Sequence, residues 1–143
     1  MSISFKTPSL RPEFDFQLDS RLRAMLFEFD HYASFVLGHN LIITHICRSQ
    51  AEQNRLYASE IAKGKFYMVN GEKWYSEDGK SPTLSVHQTK PCRGIDIHNN
   101  DWPQADIDKA LNYVNGIWRY GRGLNTLISH NVEGQHFHMQ VAV

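Results

Sequence analysis

Near the C-terminal end of the chain, polar and apolar residues alternate strictly in the sequence His136-Phe137-His138-Met139-Gln140-Val141, which follows Gln135. Successive side chains of a β-strand point to opposite faces, so this pattern predicts a strand with Phe137, Met139 and Val141 on the core side. His136, His138 and Gln140 then share the other face. Two imidazoles one pleat apart are most often plain polar surface, but they are also what a metal site requires.

Upstream of this strand, the chain alternates between helical and strand patterns. Apolar residues at helical spacing predict three helices, over residues 19–37, 49–63 and 103–120. β-Branched or alternating runs predict four strands, over residues 41–47, 93–97, 124–129 and 135–143. The order of these elements predicts an α+β fold with a small, mainly antiparallel sheet and about three helices.

Two segments show no clear period. Residues 1–17 contain two prolines and are interpreted as an irregular lead-in to the single domain expected over residues 1–143. Residues 64–84 are rich in Gly, Lys, Ser and Asp, with aromatic residues interspersed. A loop of that length in a small domain is usually functional, so we expect a lid or one wall of a binding groove.

The composition argues against several classes of protein. Lys and Arg together number 15, and so do Asp and Glu, which disfavours nucleic-acid binding by a basic stripe and a polybasic membrane anchor. No apolar run is long enough to span a bilayer, and the N-terminal residues do not have the pattern of a signal peptide, so synthesis in a cytoplasm is expected. The two cysteines, Cys47 and Cys92, leave one optional disulfide bond open.

A second polar cluster precedes the strand predicted over residues 93–97. It contains Ser85 and His87, and it ends with Asp96 inside that strand. Ile95 and Ile97 flank Asp96, so the carboxylate points away from the core that the two isoleucines face. A histidine and an aspartate nine residues apart are common by chance, and the pair alone decides nothing.

Taken together, the two clusters offer the donors of a catalytic zinc site. Such a site uses three nitrogen or oxygen ligands, keeps one position open for water and has a carboxylate nearby to accept the water's proton. His87 and Asp96 supply two ligands, and His136 or His138 supplies the third. Glu133 stands just before the histidine strand as the proton acceptor.

Three motifs, in this order, resemble those of a superfamily of zinc peptidases. The superfamily contains the D-alanyl-D-alanine carboxypeptidases and dipeptidases, the L-alanyl-D-glutamate endopeptidases of phage endolysins and the related hedgehog signalling domain. The motifs here are Ser85-x-His87, Arg93-Gly94-Ile95-Asp96-Ile97 and Glu133-x-x-His136-Phe137-His138. A fourth feature, an arginine after a strand followed by a serine and a helical glutamine, is similar to Arg48, Ser49 and Gln53. The resemblance covers residues 46–140.

The resemblance implies a hedgehog-like or D-Ala-D-Ala peptidase-like fold with one zinc ion per chain. It implies His87 and Asp96 as ligands, with either His136 or His138 as the third, and we favour His138. It implies that Arg48 holds the substrate's carbonyl oxygen or carboxylate, that Glu133 and His136 are catalytic, and that a zinc-bound water is the nucleophile. Ser85 and Gln53 are the expected substrate-binding residues.

The sequence departs from the family pattern in the middle motif. Eight residues separate His87 from Asp96, two more than is usual in the family. Cys92 stands where the family has glycine, and Gly94 stands where it has alanine. The extra residues are interpreted as a longer turn over residues 89–91.

The expected function is hydrolysis of a peptide bond in bacterial peptidoglycan, of the endolysin or carboxypeptidase kind. We expect a monomeric, phage- or prophage-encoded hydrolase that acts on the cell wall after its release. One alternative is a non-catalytic zinc-containing binding or virion structural module of the same fold. Another is a closed structural zinc site, which would need His98 or Cys92 as a fourth ligand. The other histidines are interpreted as structural or exposed, namely His31, His39, His45 and His130.

Overall fold

The central element of the fold is a five-stranded sheet, seen in a computed structural model that describes residues 3–118, 125–130 and 135–141. Its strands, in chain order, are β1 (Ser4–Phe5), β2 (Ile42–His45), β5 (Gly94–His98), β6 (Leu127–His130) and β7 (His136–Gln140). Their order across the sheet is β1-β2-β5-β7-β6. Only β1 and β2 pair in parallel, and the other pairs are antiparallel. The predicted α+β class and mainly antiparallel sheet are therefore confirmed.

The described residues form five α-helices, where the sequence predicts about three. They are α1 (Leu10–Phe16), α2 (Ser20–Tyr32), α3 (Gln50–Leu56), α4 (Ala58–Ala62) and α5 (Gln104–Ile117). The predicted helix over residues 49–63 is two helices, because Tyr57 leaves the helical backbone conformation between α3 and α4. Within the described ranges, no helix has the length and apolar content needed to cross a membrane.

The two faces of the sheet have different roles. Helices α2 and α5 cover one face, where the Phe29 ring of α2 packs edge-on against Phe137 of β7 at 5.6 Å. Ile95 and Ile97 of β5 are fully buried with them. The alternation of β5 and β7 therefore places Asp96 and His138 on the opposite face, as the sequence predicts.

Residues 3–17, the described part of the segment over residues 1–17, are not the irregular lead-in that the sequence predicts. Strand β1 pairs with β2, and α1 buries Leu10 and Phe14 in the core. Pro12 lies in the first turn of α1, where backbone N–H groups have no helical partner, so proline does not disrupt the helix. Both elements are too short to show a hydrophobic period, which explains why the pattern was missed.

The segment over residues 64–84 is also more regular than predicted. It contains an antiparallel hairpin of β3 (Phe66–Val69) and β4 (Glu72–Tyr75). The two turn residues, Asn70 and Gly71, both have positive φ, which is the conformation that an Asn-Gly hairpin turn requires. The hairpin packs against α3 and α4, where the ring of Tyr75 stacks on that of Tyr57 at 4.1 Å.

Cys47 and Cys92 form the disulfide bond that the sequence left open. Cys47 lies just after β2 and Cys92 just before β5, so the bond joins the ends of two neighbouring strands. Their Cα atoms are 5.7 Å apart, and the cysteines are 45 residues apart in the chain. The bond also rules out Cys92 as a thiolate ligand, because its sulfur is already committed.

We expect the variant Cys47→Ala/Cys92→Ala to unfold more easily than the wild type by about 2–4 kcal/mol, since the cross-link restricts the unfolded chain. Urea unfolding followed by circular dichroism measures this difference. Adding a dithiol reductant should destabilise the wild type by a similar amount and leave the variant unchanged. Equal stability of the oxidised wild type and the variant would contradict the prediction.

Candidate metal centre

Three side chains converge on the open face of the sheet. The register of β5 and β7 places Asp96 directly opposite His138. His87 reaches the same point from a single 3₁₀ turn, Val86–Gln88, whose first backbone groups are capped by Ser85. One ligand atom from each of these three residues lies within 4.8 Å of the others. His87 and Asp96 are buried, and the His138 side chain is 12% exposed.

The position of His87 is fixed by its other ring nitrogen. The Nδ1 atom donates a hydrogen bond to the backbone carbonyl of Ile46 at 2.6 Å. That bond assigns the proton to Nδ1, so the lone pair of Nε2 faces Asp96 Oδ1 at 3.3 Å. Nε2 is buried and has no hydrogen-bond partner among the described residues.

His138 is held in a similar way. Its Nε2 lies 3.1 Å from the Oε1 atom of Gln140. Because an amide oxygen can only accept a hydrogen bond, the proton of the His138 ring is assigned to Nε2. Its Nδ1 then faces Asp96 Oδ1 at 3.0 Å. Second partners of this kind orient metal-ligating histidines in many proteins and fix their tautomers.

Asp96 is ionised in this setting. Burial by itself raises the pKa of the carboxyl group, whereas hydrogen bonds and positive charge from His138 and His87 lower it well below its usual range when the ring nitrogens that face Asp96 are protonated. A cation bound between the three groups would take the place of those protons and favour the same ionised form. The group is therefore a carboxylate, which is the form that binds a metal ion. A buried carboxylate normally requires a neighbouring positive charge.

A divalent cation can bind the ring nitrogens of His87 and His138 and the carboxylate of Asp96 at the same time. With both imidazoles neutral, two ring nitrogens and one carboxylate oxygen direct lone pairs at a common point, which is unfavourable unless a positive charge lies there. The buried Nε2 of His87, which has no hydrogen-bond partner among the described residues, fits a metal ion at this point. Two nitrogens and one oxygen from three residues form the ligand set of many catalytic zinc sites, so the residues fit zinc.

A cavity of about 190 Å³ opens beside this triad. Its lining is polar and comes from several elements, namely Arg48, Tyr57, Ser85, His87, Asp96, His130, His136 and His138. The triad therefore borders a space large enough for water and part of a substrate, as a catalytic site requires and a closed structural site does not.

His136 lies beside the triad but outside it. Its Nε2 is 3.7 Å from Asp96 Oδ1, and its ring borders the cavity. The residues that come together as potential ligands include His138 instead, which favours our choice of third ligand. Glu133, the predicted proton acceptor, lies outside the described residues.

Arg48 enters the cavity with support from Gln53. The Arg48 guanidinium donates a hydrogen bond to Gln53 Oε1 at 2.8 Å, and Gln53 Nε2 donates to the Thr83 carbonyl oxygen at 3.4 Å. Gln53 is buried and does not line the cavity, so its contact with substrate stays a prediction, and its observed role is to position Arg48. Ser85 does line the cavity.

Two histidines that the sequence analysis interpreted as structural or exposed also lie close to the site. His130 lies on β6 next to β7, and its ring is 5.5 Å from that of His138. His45 lies on β2, with Nδ1 3.8 Å from Asp96 Oδ2, on the side of the carboxylate away from the other imidazoles. Burial lowers the pKa of both imidazoles. His98, by contrast, pairs with Asp101 at 3.1 Å and does not join the triad.

A bulge in β2 explains the position of His45. Ile43 pairs with Ile97 on the core side, whereas His45 pairs with Asp96, so the register shifts by one residue between them. Strict alternation would have placed Ile43 and His45 on the same face. The extra residue, Thr44, turns His45 towards the site, and only a bulge signal that the sequence lacks could have predicted this.

Gly94 lies directly under the triad. A Cβ atom there would overlap the side chain of Val86 and lie 3.2 Å and 3.3 Å from the Cε1 atoms of His138 and His87. The glycine at the position where the resembling family has alanine is thus explained by the close approach of these three side chains.

We expect Gly94→Ala to lower zinc affinity by about 10-fold or more, because the added methyl group displaces both imidazoles. Competition with a chromogenic chelator measures the affinity. Gly116→Ala in α5 is the matched control, since a Cβ there meets nothing within 4 Å. Unchanged affinity in Gly94→Ala would show that Val86 alone adjusts to the methyl group.

The arrangement combines a buried nitrogen and oxygen triad with a cation and two further imidazoles around one cavity. Such a set of side chains can hold a Lewis-acidic metal, bind an oxyanion and transfer a proton.

Comparison with known proteins found no match to this chain. No protein-family model, no curated protein and no solved structure matches it.

Proposed function

We propose that the protein is a zinc-dependent peptidase that cleaves a peptide bond in bacterial peptidoglycan. The observation that carries this proposal is the convergence of His87, Asp96 and His138 beside a cavity that Arg48 and His136 also line. The motif resemblance supplies the substrate class. The same resemblance supports a hedgehog-like arrangement of the sheet and helices, with one zinc ion per monomeric chain.

When bound, zinc polarises the substrate's carbonyl group and lowers the pKa of water. The chain's own residues bind and orient the substrate. Arg48, held by Gln53, presents a permanently charged planar fork that suits a carbonyl oxygen as it gains negative charge, or a substrate carboxylate. Ser85 borders the same cavity and can contact the peptide backbone.

In this proposal, Glu133 or His136 accepts the proton of the attacking water. In this proposal Glu133 is the acceptor that the sequence motif implies, three residues before His136. His136 lines the cavity and stands 3.7 Å from Asp96 Oδ1 without belonging to the triad, so its imidazole borders the space that the substrate would occupy. Either group would return the proton to the leaving amine.

The disulfide bond supports an action outside the cytoplasm. Disulfides persist in secreted and cell-surface environments and are rare where glutathione and thioredoxin keep thiols reduced. Cys47–Cys92 joins the two segments that precede Arg48 and Asp96, so the site forms part of the cross-linked region. A phage- or prophage-encoded enzyme released onto the cell wall fits this chemistry.

Digestion of purified peptidoglycan tests the proposal. The zinc-loaded protein is incubated with sacculi, and the soluble fragments are identified by mass spectrometry. We expect fragments with a new amino and a new carboxyl terminus at one peptide bond. A chelator should abolish their release, and added zinc should restore it.

The outcome also separates the enzyme from a binding module. A protein that binds zinc and peptidoglycan but releases no fragments is a non-catalytic module of the same site. A protein that cleaves glycan bonds, or that works equally well after removal of the metal, overturns the proposal.

A further inference from the structure

The groove continues past the triad into a second depression of about 200 Å³. This depression shares Asp96 and His136 with the first cavity, so the two spaces adjoin at the metal centre. Its other lining residues are polar and come from both ends of the chain, namely Lys6, Thr44, His45, His98, Asn100 and Gln135. We call this depression the Lys6 subsite.

The strand register places the Lys6 subsite at the end of the groove opposite Arg48. Strand β2 runs antiparallel to β5, so Arg48, which follows β2, lies beyond the Gly94 end of β5. His98 marks the other end of β5, and the backbone of Lys6 is held there by a hydrogen bond to Ile43 on β2. A peptide lying along β5 would thus have one cation at each end and the metal centre between them.

The β2 bulge is what makes the subsite polar. It places Thr44 and His45 on the same face, where regular alternation would have buried one of them against the core. Both side chains line the subsite beside Lys6. A local departure from regular pairing next to a functional centre often directs side chains in this way.

Lys6 brings the one permanent charge among the lining residues apart from Asp96. Its side chain is exposed, and no carboxylate of the described residues lies within ion-pair distance of its ammonium group. The acidic residue of the lining is Asp96, whose Oδ1 faces His87 and His138. Asp101 pairs with His98 at 3.1 Å. The subsite thus offers an exposed ammonium group with no ion-pair partner among the described residues, next to the hydrogen-bonding groups of Thr44 and Gln135.

We infer that the Lys6 subsite binds a free carboxylate of the substrate, on a residue next to the scissile bond. The inference rests on the proposed peptidase function and deepens it. Stem peptides of peptidoglycan carry free carboxylates both within the peptide and at its C-terminus, and amidation removes the charge of either. Lys6 is then a residue that determines specificity, because it distinguishes a carboxylate from a carboxamide of nearly the same shape.

Three synthetic stem peptides test the inference with the zinc-loaded protein. The first has all carboxylates free, the second is amidated at the carboxyl group of its internal D-glutamate, and the third is amidated at its C-terminus. Binding is measured by calorimetry, and cleavage is measured by chromatography. We expect amidation at one of the two places to weaken binding and lower kcat/KM by about three- to tenfold, mainly through KM.

Substitutions of Lys6 test whether this residue causes the preference for a free carboxylate. Lys6→Met should bind the free and amidated peptides equally, Lys6→Arg should retain the preference, and Lys6→Glu should reverse it. Lys109→Met is the matched control, because Lys109 is an exposed lysine of α5, which covers the opposite face of the sheet. It should behave as the wild type.

The results separate this inference from the proposed function. Cleavage of all three peptides at equal rates, or a preference that persists in Lys6→Met, overturns the inference and leaves the peptidase proposal standing. Binding that depends on a free carboxylate and on Lys6, with no cleavage of any peptide, overturns the peptidase proposal and leaves the subsite.

Discussion

Replacing His87, Asp96 or His138 with alanine is expected to remove bound zinc from the protein. Each substitution deletes one of only three ligands in the triad. Loss of a group that merely orients a ligand costs about 10–100-fold in metal affinity, so loss of a ligand should cost more than about 100-fold. Hydrolysis of peptidoglycan should disappear together with the metal.

Metal content and stability provide independent readouts. Elemental mass spectrometry of the wild type should give about one zinc per chain, and each variant should give close to none. Zinc at 100 times its Kd should raise the free energy of unfolding of the wild type by about 2.7 kcal/mol, and this gain should be absent from the variants. A thermal unfolding curve with and without zinc detects it.

Two further alanine variants serve as controls. His136→Ala should keep its zinc, because the structure places this imidazole beside the triad and not in it. His31→Ala, an exposed residue of α2, should match the wild type in every measurement. Loss of zinc from His136→Ala but not from His138→Ala would reverse the assignment of the third ligand.

The identity of the metal is tested in the same experiment. Two histidines and one carboxylate also form the ligand set of non-haem iron(II) enzymes. A preparation that contains stoichiometric iron, and that gains no stability from zinc, would contradict the zinc assignment. A preparation saturated with neither metal would contradict the site itself.

The strands that carry the triad were predictable because each shows its two faces in the sequence. Phe137 and Met139 alternate with His136 and His138, and the structure buries the first pair and leaves the second on the other face. The sequence could not show which strand lies next to which. The pairing of Asp96 with His138 depends on long-range register, which no local pattern contains.

The sequence analysis did not predict the β3–β4 hairpin or the position of His45, and the physical reasons differ. The hairpin over residues 66–75 was missed although Asn70-Gly71 is a strong turn signal, because polar and aromatic residues around it obscure the alternation of its strands. The position of His45 could not be predicted, because the bulge that turns it towards Asp96 has no signal in the sequence. The Lys6 subsite depends on that same bulge.

Replacing the proton acceptor is the second change with a large expected effect, and Glu133→Gln and His136→Gln distinguish the two candidates. Each substitution keeps a side chain of similar reach and hydrogen-bonding ability but removes the base. The variant that lacks the true acceptor should retain its fold and its zinc, while kcat falls by roughly 10²–10⁴-fold, the usual contribution of a positioned general base. The other variant should lose less.

The geometry gives His136 a specific alternative role. Its imidazole borders the cavity and lies near Asp96 Oδ1, so it is placed to hydrogen-bond the oxyanion as well as to accept a proton. If Glu133 is the acceptor, His136→Gln should lower kcat by about 10-fold through lost stabilisation of the transition state, because glutamine can still donate a hydrogen bond. If His136 is the acceptor, Glu133→Gln should leave kcat within a few-fold of the wild type.

The measurement is single-turnover cleavage of the stem peptide, with zinc content determined on the same samples. The double variant Glu133→Gln/His136→Gln tells whether the two groups act in one step. If they hand over the same proton, the double variant should be no slower than the worse single variant, because residues that act as a unit are strongly non-additive. If one accepts the proton and the other stabilises the oxyanion, the two losses should multiply. Wild-type rates in both single variants would remove proton transfer from these residues and leave His130, whose ring lies 5.6 Å from that of His136, as the base nearest the cavity.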